Sequence, residues 1–156
     1  MPGKSTPACD VLIVGAGNAA LCAALAAREQ GARVVVLERA PENERGGNTA
    51  FTAGGFRVAY RNLDQLIELM PDLSDEEKRN TDFGTYTEDQ YFEDIGRVTE
   101  YRTNPDLVEL LVRRSHPTLL WMRTKGVRWV PMYGRQAFKV EGQFKFWGGL
   151  TVEACR

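Results

Sequence analysis

The chain has one histidine, three cysteines and a net charge of -1, and each shortage closes off a class of function. Cys9, Cys22 and Cys155 form no CxxC pair and lie far along the sequence from His116, so neither a zinc site nor a disulfide framework is expected. Free thiols of that kind suit a reducing compartment, and the cytoplasm is the expected location. A balance so close to neutral argues against a nucleic-acid partner. No apolar run approaches the roughly 18 residues that cross a bilayer, and the opening MPGKSTPACD lacks the apolar core of a secretory signal. Repeats and low-complexity tracts are also absent. What remains is 156 residues, 43% hydrophobic and 26% charged, enough for one soluble globular domain and unlike a disordered chain.

Charge is distributed unevenly. Residues 62–101 hold 12 acids against 3 bases, and residues 102–156 hold 10 bases against 4 acids. Solvated faces account for this, and the basic group Arg113, Arg114, Arg123, Lys125 and Arg128 could also steer a polycarboxylate.

The chemistry lies in DVLIVGAGNAALCAALAAREQGARVVVLERA, residues 10–40. VLIV at 11–14 predicts a strand covered on both faces, Gly15 ends it, and the Ala/Leu-rich stretch from Asn18 to Gln30 predicts a helix stopped by Gly31. RVVVLE at 33–38 predicts a second, parallel strand, completing a βαβ unit. Gly15 and Gly17 permit a sharp turn and close approach of a ligand, the amides at the helix start attract a pyrophosphate, and Ala20 replaces the third glycine of GxGxxG with a residue still small enough for close packing. Glu38 follows Gly15 by 23 residues, where an acid can accept hydrogen bonds from a ribose hydroxyl. An adenine dinucleotide is the expected ligand; Cys22, inside the helix, reads as a small core residue.

The first βαβ unit alone does not separate NAD from FAD. RAPENERGGNTAFTAGGF, residues 39–56, then offers paired glycines with small and hydroxyl residues between them, an extended segment able to lie against a large flat ligand. With GNAALCAALAAREQGARVVVLERAP, RGGNT and SHPTLLWMRTKGVRW, the chain resembles the N-terminal part of the flavoprotein family of fumarate reductases, succinate dehydrogenase flavoprotein subunits, 3-ketosteroid dehydrogenases and L-aspartate oxidases. Its nearest likeness within that family is the tricarballylate dehydrogenase branch, from about residue 9 to the end, with 60–100 matching loosely. The resemblance implies FAD as cofactor, with Gly15, Gly17, Asn18, Ala19 and Ala20 at the pyrophosphate and Glu38 and Arg39 near the adenosine. Gly46, Gly47, Asn48, Thr49, Thr52, Ala53, Gly54 and Gly55 would follow the pyrophosphate to the isoalloxazine. Membrane-bound succinate dehydrogenases carry a flavin-linking histidine where Asn48 stands, which implies non-covalent FAD here.

Beyond residue 60 the pattern becomes helical. Leu63, Leu66, Ile67 and Met70 predict a short helix, followed by an acidic turn and a second helix around 87–101. Pro105 predicts the first turn of a further helix with Leu107, Leu110 and Leu111 on its buried face, and Pro117 predicts the start of another, ended by Gly126. His116 then marks a helix boundary, and Trp121, Trp129 and Trp147 read as core or interface residues. VRWV and FKVEGQFKFW predict short extended segments, and FWGGLTVEACR resembles a glycine turn with the first turn of a helix.

The expected fold class is α/β: a Rossmann-like FAD-binding βαβ unit followed by mostly helical segments, with an incomplete sheet. Residues 1–60 would form the N-terminal part of an FAD-binding domain, and residues 61–156 a helical region leading toward a capping domain. The implied function is oxidation of the CH–CH group of a small di- or tricarboxylic acid such as tricarballylate, with an iron–sulfur or quinone-linked electron-transfer partner and no nucleic acid or transmembrane segment. No catalytic residue and no metal ligand can be named, since the family's proton-transfer and carboxylate-binding groups lie further along than this chain extends. It is therefore expected to be the N-terminal portion of a longer enzyme, inactive alone and with apolar faces uncovered. An NAD-linked dehydrogenase and a non-catalytic nucleotide-binding module remain as alternatives.

Overall fold

Consecutive β-branched residues favour an extended backbone, and the computed structural model, which describes residues 8–155, places strands at both such runs. Strand β1 (Val11–Val14) leads through a glycine turn into helix α1 (Asn18–Glu29), and β2 (Val34–Leu37) returns beside β1. The pairing is parallel, in register from Val11 opposite Val34 to Val14 opposite Leu37. Helix α1 stops because Gly31 adopts a φ of +82°, with the amides of Gln30 and Gly31 turned back onto the carbonyls of Ala27 and Arg28. At the entry to the strands Arg33 grips Asp10 through Nε and Nη2, at 3.1 and 2.9 Å, while its amide donates to the same carboxylate at 2.8 Å. That guanidinium holds the Asp10 carboxyl below the usual carboxylate range.

The strands are not covered on both faces, as their sequence predicts. Helix α1 packs on both strands, yet the alternate residues Leu12 and Val14 remain 55% and 82% exposed. No residue among 8–54 is buried. Two strands and one helix make a single layer pair, so every second side chain of β1 lacks a neighbour.

The chain divides into two compact units after Gly54. The second unit contains all the buried residues among those described. Strand β3 (Gly55–Arg57) precedes helices α2 (Leu63–Leu69), α3 (Asp75–Asn80), α4 (Glu88–Val98) and α5 (Pro105–Thr124). Strand β4 (Arg128–Pro131), the hairpin strands β5 (Ala137–Val140) and β6 (Gln143–Phe146), and β7 (Thr151–Cys155) follow. Capping sets the helix starts: Asn62, Ser74, Thr87 and Asn104 each accept the amide three residues on, and Ser74 and Thr87 complete capping boxes with Glu77 and Gln90. The sheet runs β3-β7-β4, antiparallel throughout.

Residues 151–155 therefore form the central strand of a sheet rather than the start of a helix. Val152 is fully buried, and Thr151–Cys155 pairs on both sides, which outweighs the helical tendency of Glu153 and Ala154. The acidic stretch expected as a turn includes α3, nucleated by its capping box. The unit as a whole is mixed helix and strand.

Its core gathers Val58, Tyr60, Leu66, Leu69, Met70, Val112, Trp129, Leu150 and Val152. Tyr60 pins three segments, its hydroxyl donating to the Phe83 carbonyl at 2.6 Å and accepting the Leu150 amide at 2.9 Å. Trp129 donates from Nε1 to the Leu119 carbonyl at 3.0 Å and meets Phe56 edge-on at 5.0 Å.

Helix α5 departs from its sequence pattern twice. It runs through Pro117 without a break, and its buried stripe is Val108, Val112, Ser115, Leu119 and Met122, whereas Leu107, Leu110 and Leu111 are exposed. Both stripes have helical spacing, so periodicity alone does not choose between them; packing against α2 and α4 selects the one carrying Val108 and Val112. The Ser115 hydroxyl accepts the Ala59 amide at 3.1 Å on that face. Pro117 is exposed and removes one helical hydrogen bond. Pro117→Ala is expected to stabilise the chain by about 2 kcal/mol, the helix-propensity gain less the entropy returned to the unfolded chain; a rise in the urea midpoint checks this.

Candidate functional site

The glycine turn at the tip of β1 is the place where backbone amides are left to other partners. Gly15 takes a φ of +103°, open only to glycine without strain, and its amide closes the ladder onto the Leu37 carbonyl at 2.6 Å. The next amide, of Ala16, donates to Glu38 Oε2 at 3.0 Å. Gly17 is extended, with φ -77° and ψ 178°, and precedes α1 without offering a side-chain cap. The Asn18 amide donates to Thr49 Oγ1 at 3.0 Å. Those of Ala19 and Ala20, in the first turn of the helix, have no hydrogen-bond partner among the described residues. Unpaired donors at the positive end of a twelve-residue helix form an anion-attracting surface.

Glu38 closes one side of this turn. Besides Ala16, its carboxylate accepts the amides of Arg39 and Ala40 at 2.7 and 2.9 Å. These bonds, that of Ala40 foremost, hold the carboxyl below the usual carboxylate range, with the Gly46 amide adding to the effect and partial desolvation opposing it. On the other side, Gly46 and Gly47 take φ of +101° and +53° and lead into a 3-10 turn over Gly47–Phe51. That turn replaces the extended course expected of this segment, and it is what carries Thr49 back to the helix.

A Cβ placed on Gly17 would lie 3.2 Å from Thr49 Oγ1 and 3.3 Å from the Gly46 carbonyl oxygen. The residue is a glycine because the loop closes upon it, not because its backbone angles demand one. The amides of Ala19 and Ala20, unpartnered among the described residues, are donors of the kind that a phosphate oxygen accepts from.

The structure thus gathers Gly15, Gly17, Asn18, Ala19, Ala20, Glu38, Gly46 and Thr49 about one turn. Arg39 takes part through its amide and has an exposed side chain. Gly47 and Asn48 lie on the 3-10 turn, with Asn48 exposed. Thr52, Ala53 and Gly54 make the following bend, in which Thr52 Oγ1 donates to the Thr49 carbonyl at 3.0 Å and Ala53 takes a φ of +54°. Gly55 begins β3 opposite Glu153, in the second unit. Ala16 and Ala40 escape a reading by side-chain type, since both act through amides; the position of Ala16 between two glycines is the signal that could have marked it.

His116 sits within α5 rather than at a boundary, its Nε2 3.2 Å from the Gln65 carbonyl oxygen, beside a cleft of about 290 Å³ that Tyr60, Arg61 and Glu88 also line. Trp129 is core and Trp147 stacks on Phe138 at 4.2 Å. Among the described residues no group of His, Cys, Asp and Glu is placed to hold a metal ion, and no helix is long and apolar enough to cross a membrane.

Comparison with known proteins gives a match of residues 10–151 to the FAD binding domain. The fumarate reductase (cytochrome) of Shewanella frigidimarina is 30% identical over 117 residues, 75% of this chain and 18% of the relative. The NADH:fumarate oxidoreductase of Klebsiella pneumoniae (strain 342) is 24% identical over 118 residues, 76% of this chain and 11% of the relative. A shorter match of higher identity, 53% over 51 residues, joins 33% of the chain to 8% of the 4-oxocyclohex-2-ene-1-carboxylate 5-dehydrogenase of Sinomonas cyclohexanicum. The chain spans less than a fifth of the length of these curated relatives.

Proposed function

We propose, from the premise that this chain belongs to the FAD binding domain family, that its glycine turn holds the adenosine diphosphate half of FAD in a flavin-dependent oxidoreductase. The observation that carries this reading is the pair of amides in the first turn of α1, Ala19 and Ala20, that have no partner among the described residues, just after the glycine turn at Gly15 and Gly17. These amides and the dipole of α1 would bind the two phosphates, while Gly15, Gly17 and Asn18 give the backbone its close approach. Glu38 and Arg39, at the end of β2, would stand beside the adenosine. The loop from Gly46 and Gly47 through Asn48, Thr49, Thr52, Ala53, Gly54 and Gly55 would continue toward the isoalloxazine. This βαβ arrangement is of the Rossmann kind.

When bound, the flavin supplies hydride transfer, which side chains do not perform. The chain's own part is to bind and orient that group. The reaction we assign is oxidation of a CH–CH bond in a small di- or tricarboxylic acid, with tricarballylate as the specific candidate and an iron–sulfur or quinone-linked protein as electron partner in the cytoplasm. Support comes from the relatives, two of whose names concern fumarate and one a cyclic carboxylate dehydrogenase.

Asn48 provides no imidazole for a flavin linkage, so FAD would be held without a covalent bond. Purified with FAD, the full chain is expected to show flavin absorbance that passes wholly to the supernatant on acid precipitation. Colour retained in the pellet would contradict the non-covalent reading, and a colourless chain after FAD addition would contradict the proposed function.

A further inference from the structure

Helix α5 carries, besides its buried stripe, a second apolar stripe that no described residue buries. Leu107, Leu110 and Leu111 are 65, 58 and 53% exposed, and with Arg114 they recur at i, i+3, i+4 and i+7 along one face of the helix. A single exposed leucine is ordinary on a protein surface, whereas three within five positions on one face form a patch of the kind that marks an association surface. Charge is ordered along the same stripe. Asp106 stands four residues before Leu110 and Arg114 four residues after it, both exposed. Neither side chain has a hydrogen bond or ion pair among the described residues, although the neighbouring Arg113 is held by Glu88 and Glu109 at 3.5 and 2.8 Å.

An acid and a base equally distant from a central leucine are self-complementary about a two-fold axis. When two copies of α5 pack antiparallel through Leu110, each Asp106 comes opposite the partner's Arg114, and the leucines between them meet. Parallel packing would instead set acid against acid and base against base. We propose that this face of α5 is a two-fold interface whose occupant is a second copy of this chain, packed antiparallel across Leu107, Leu110 and Leu111. A contact made by one pair of helices is small, so the dimer is weak and reversible. It is independent of the function proposed above.

Sedimentation velocity on the full chain over a range of concentrations tests the interface. The wild-type chain is expected to pass reversibly from monomer to dimer. Leu110→Lys sets two like charges at the axis, and Asp106→Arg and Arg114→Asp each create two like-charged pairs, so each variant is expected to weaken dimerisation about tenfold or more. The double variant Asp106→Arg/Arg114→Asp exchanges the partners and is expected to recover wild-type dimerisation to within about threefold. Thermal melts by circular dichroism accompany every variant, and Leu110→Lys, at an exposed position, keeps the test decisive if a charge variant does not fold. A wild-type chain that stays monomeric would leave the stripe to some other partner and overturn the proposal. A dimer unaffected by Leu110→Lys would use another surface, and a double variant as weak as the single ones would rule out the antiparallel register; either result overturns it as well.

Discussion

Gly17→Val is expected to weaken ADP binding by at least about 100-fold, near 2.7 kcal/mol, while leaving the chain folded. The backbone at Gly17 is extended, and valine favours that region, so the substitution introduces no local strain. All of its effect comes from space. The first added carbon already meets Thr49 Oγ1 and the Gly46 carbonyl at 3.2 and 3.3 Å, and the two further methyls fill the space at the turn or push the loop from it. Gly15→Ala has the opposite character. Nothing lies within 4 Å of its added Cβ, but the φ of +103° strains any other residue, so stability falls by about 1–2 kcal/mol before ligand is considered. Calorimetric titration with ADP beside thermal melts of both variants separates the two effects. Wild-type affinity in Gly17→Val would show that the ligand does not enter there.

Gly149→Ala is expected to destabilise the second unit by about 3 kcal/mol or more, combining overpacking with left-handed strain. An added Cβ would fall 2.5 Å from Tyr86 Cβ and 2.6 Å from its Cγ, far inside contact distance. Tyr86 has no easy retreat. Its hydroxyl donates to Asp94 Oδ2 at 2.8 Å, the Arg57 guanidinium lies 5.1 Å above its ring, and Arg57 is itself bonded to the Gly148 carbonyl. Burial within this cluster pushes the Tyr86 hydroxyl up to about 12. Gly142→Ala is the control: its φ of +87° resembles the +86° of Gly149, but nothing lies within 4 Å of its added Cβ. It should lose only about 1 kcal/mol, the strain alone. Equal urea midpoints for the two variants would show that the clash is relieved by a movement of Tyr86.

The parts of the molecule legible in the sequence are those fixed by local chemistry. VLIV and VVVL form strands because their side chains admit little else, and Gly15, Gly17 and Gly31 appear where a turn, a close approach and a helix stop require them. What local chemistry leaves degenerate is settled only by tertiary neighbours. Helix α5 has two stripes of apolar residues at helical spacing, and only its neighbours decide that Val108 and Val112 turn inward rather than Leu107 and Leu111. Pro117 breaks isolated helices but is carried here by a twenty-residue helix packed along one side. Residues 151–155 become strand through pairing with partners some twenty and a hundred positions earlier, which no window of sequence contains. At the site, the residue types could be read while their connections could not. Nothing in the sequence distance between Thr49 and Asn18 announces a hydrogen bond; it follows from the 3-10 turn after Gly46 and Gly47.

The central claim is that the amides at the start of α1 receive a diphosphate. Backbone amide resonances of the full chain, followed while ADP is added, test it most directly. Saturable shifts centred on Gly17, Ala19 and Ala20, weaker with AMP and absent with adenosine, are the predicted result. Saturation that leaves these three amides unmoved, or equal shifts with adenosine, would contradict it.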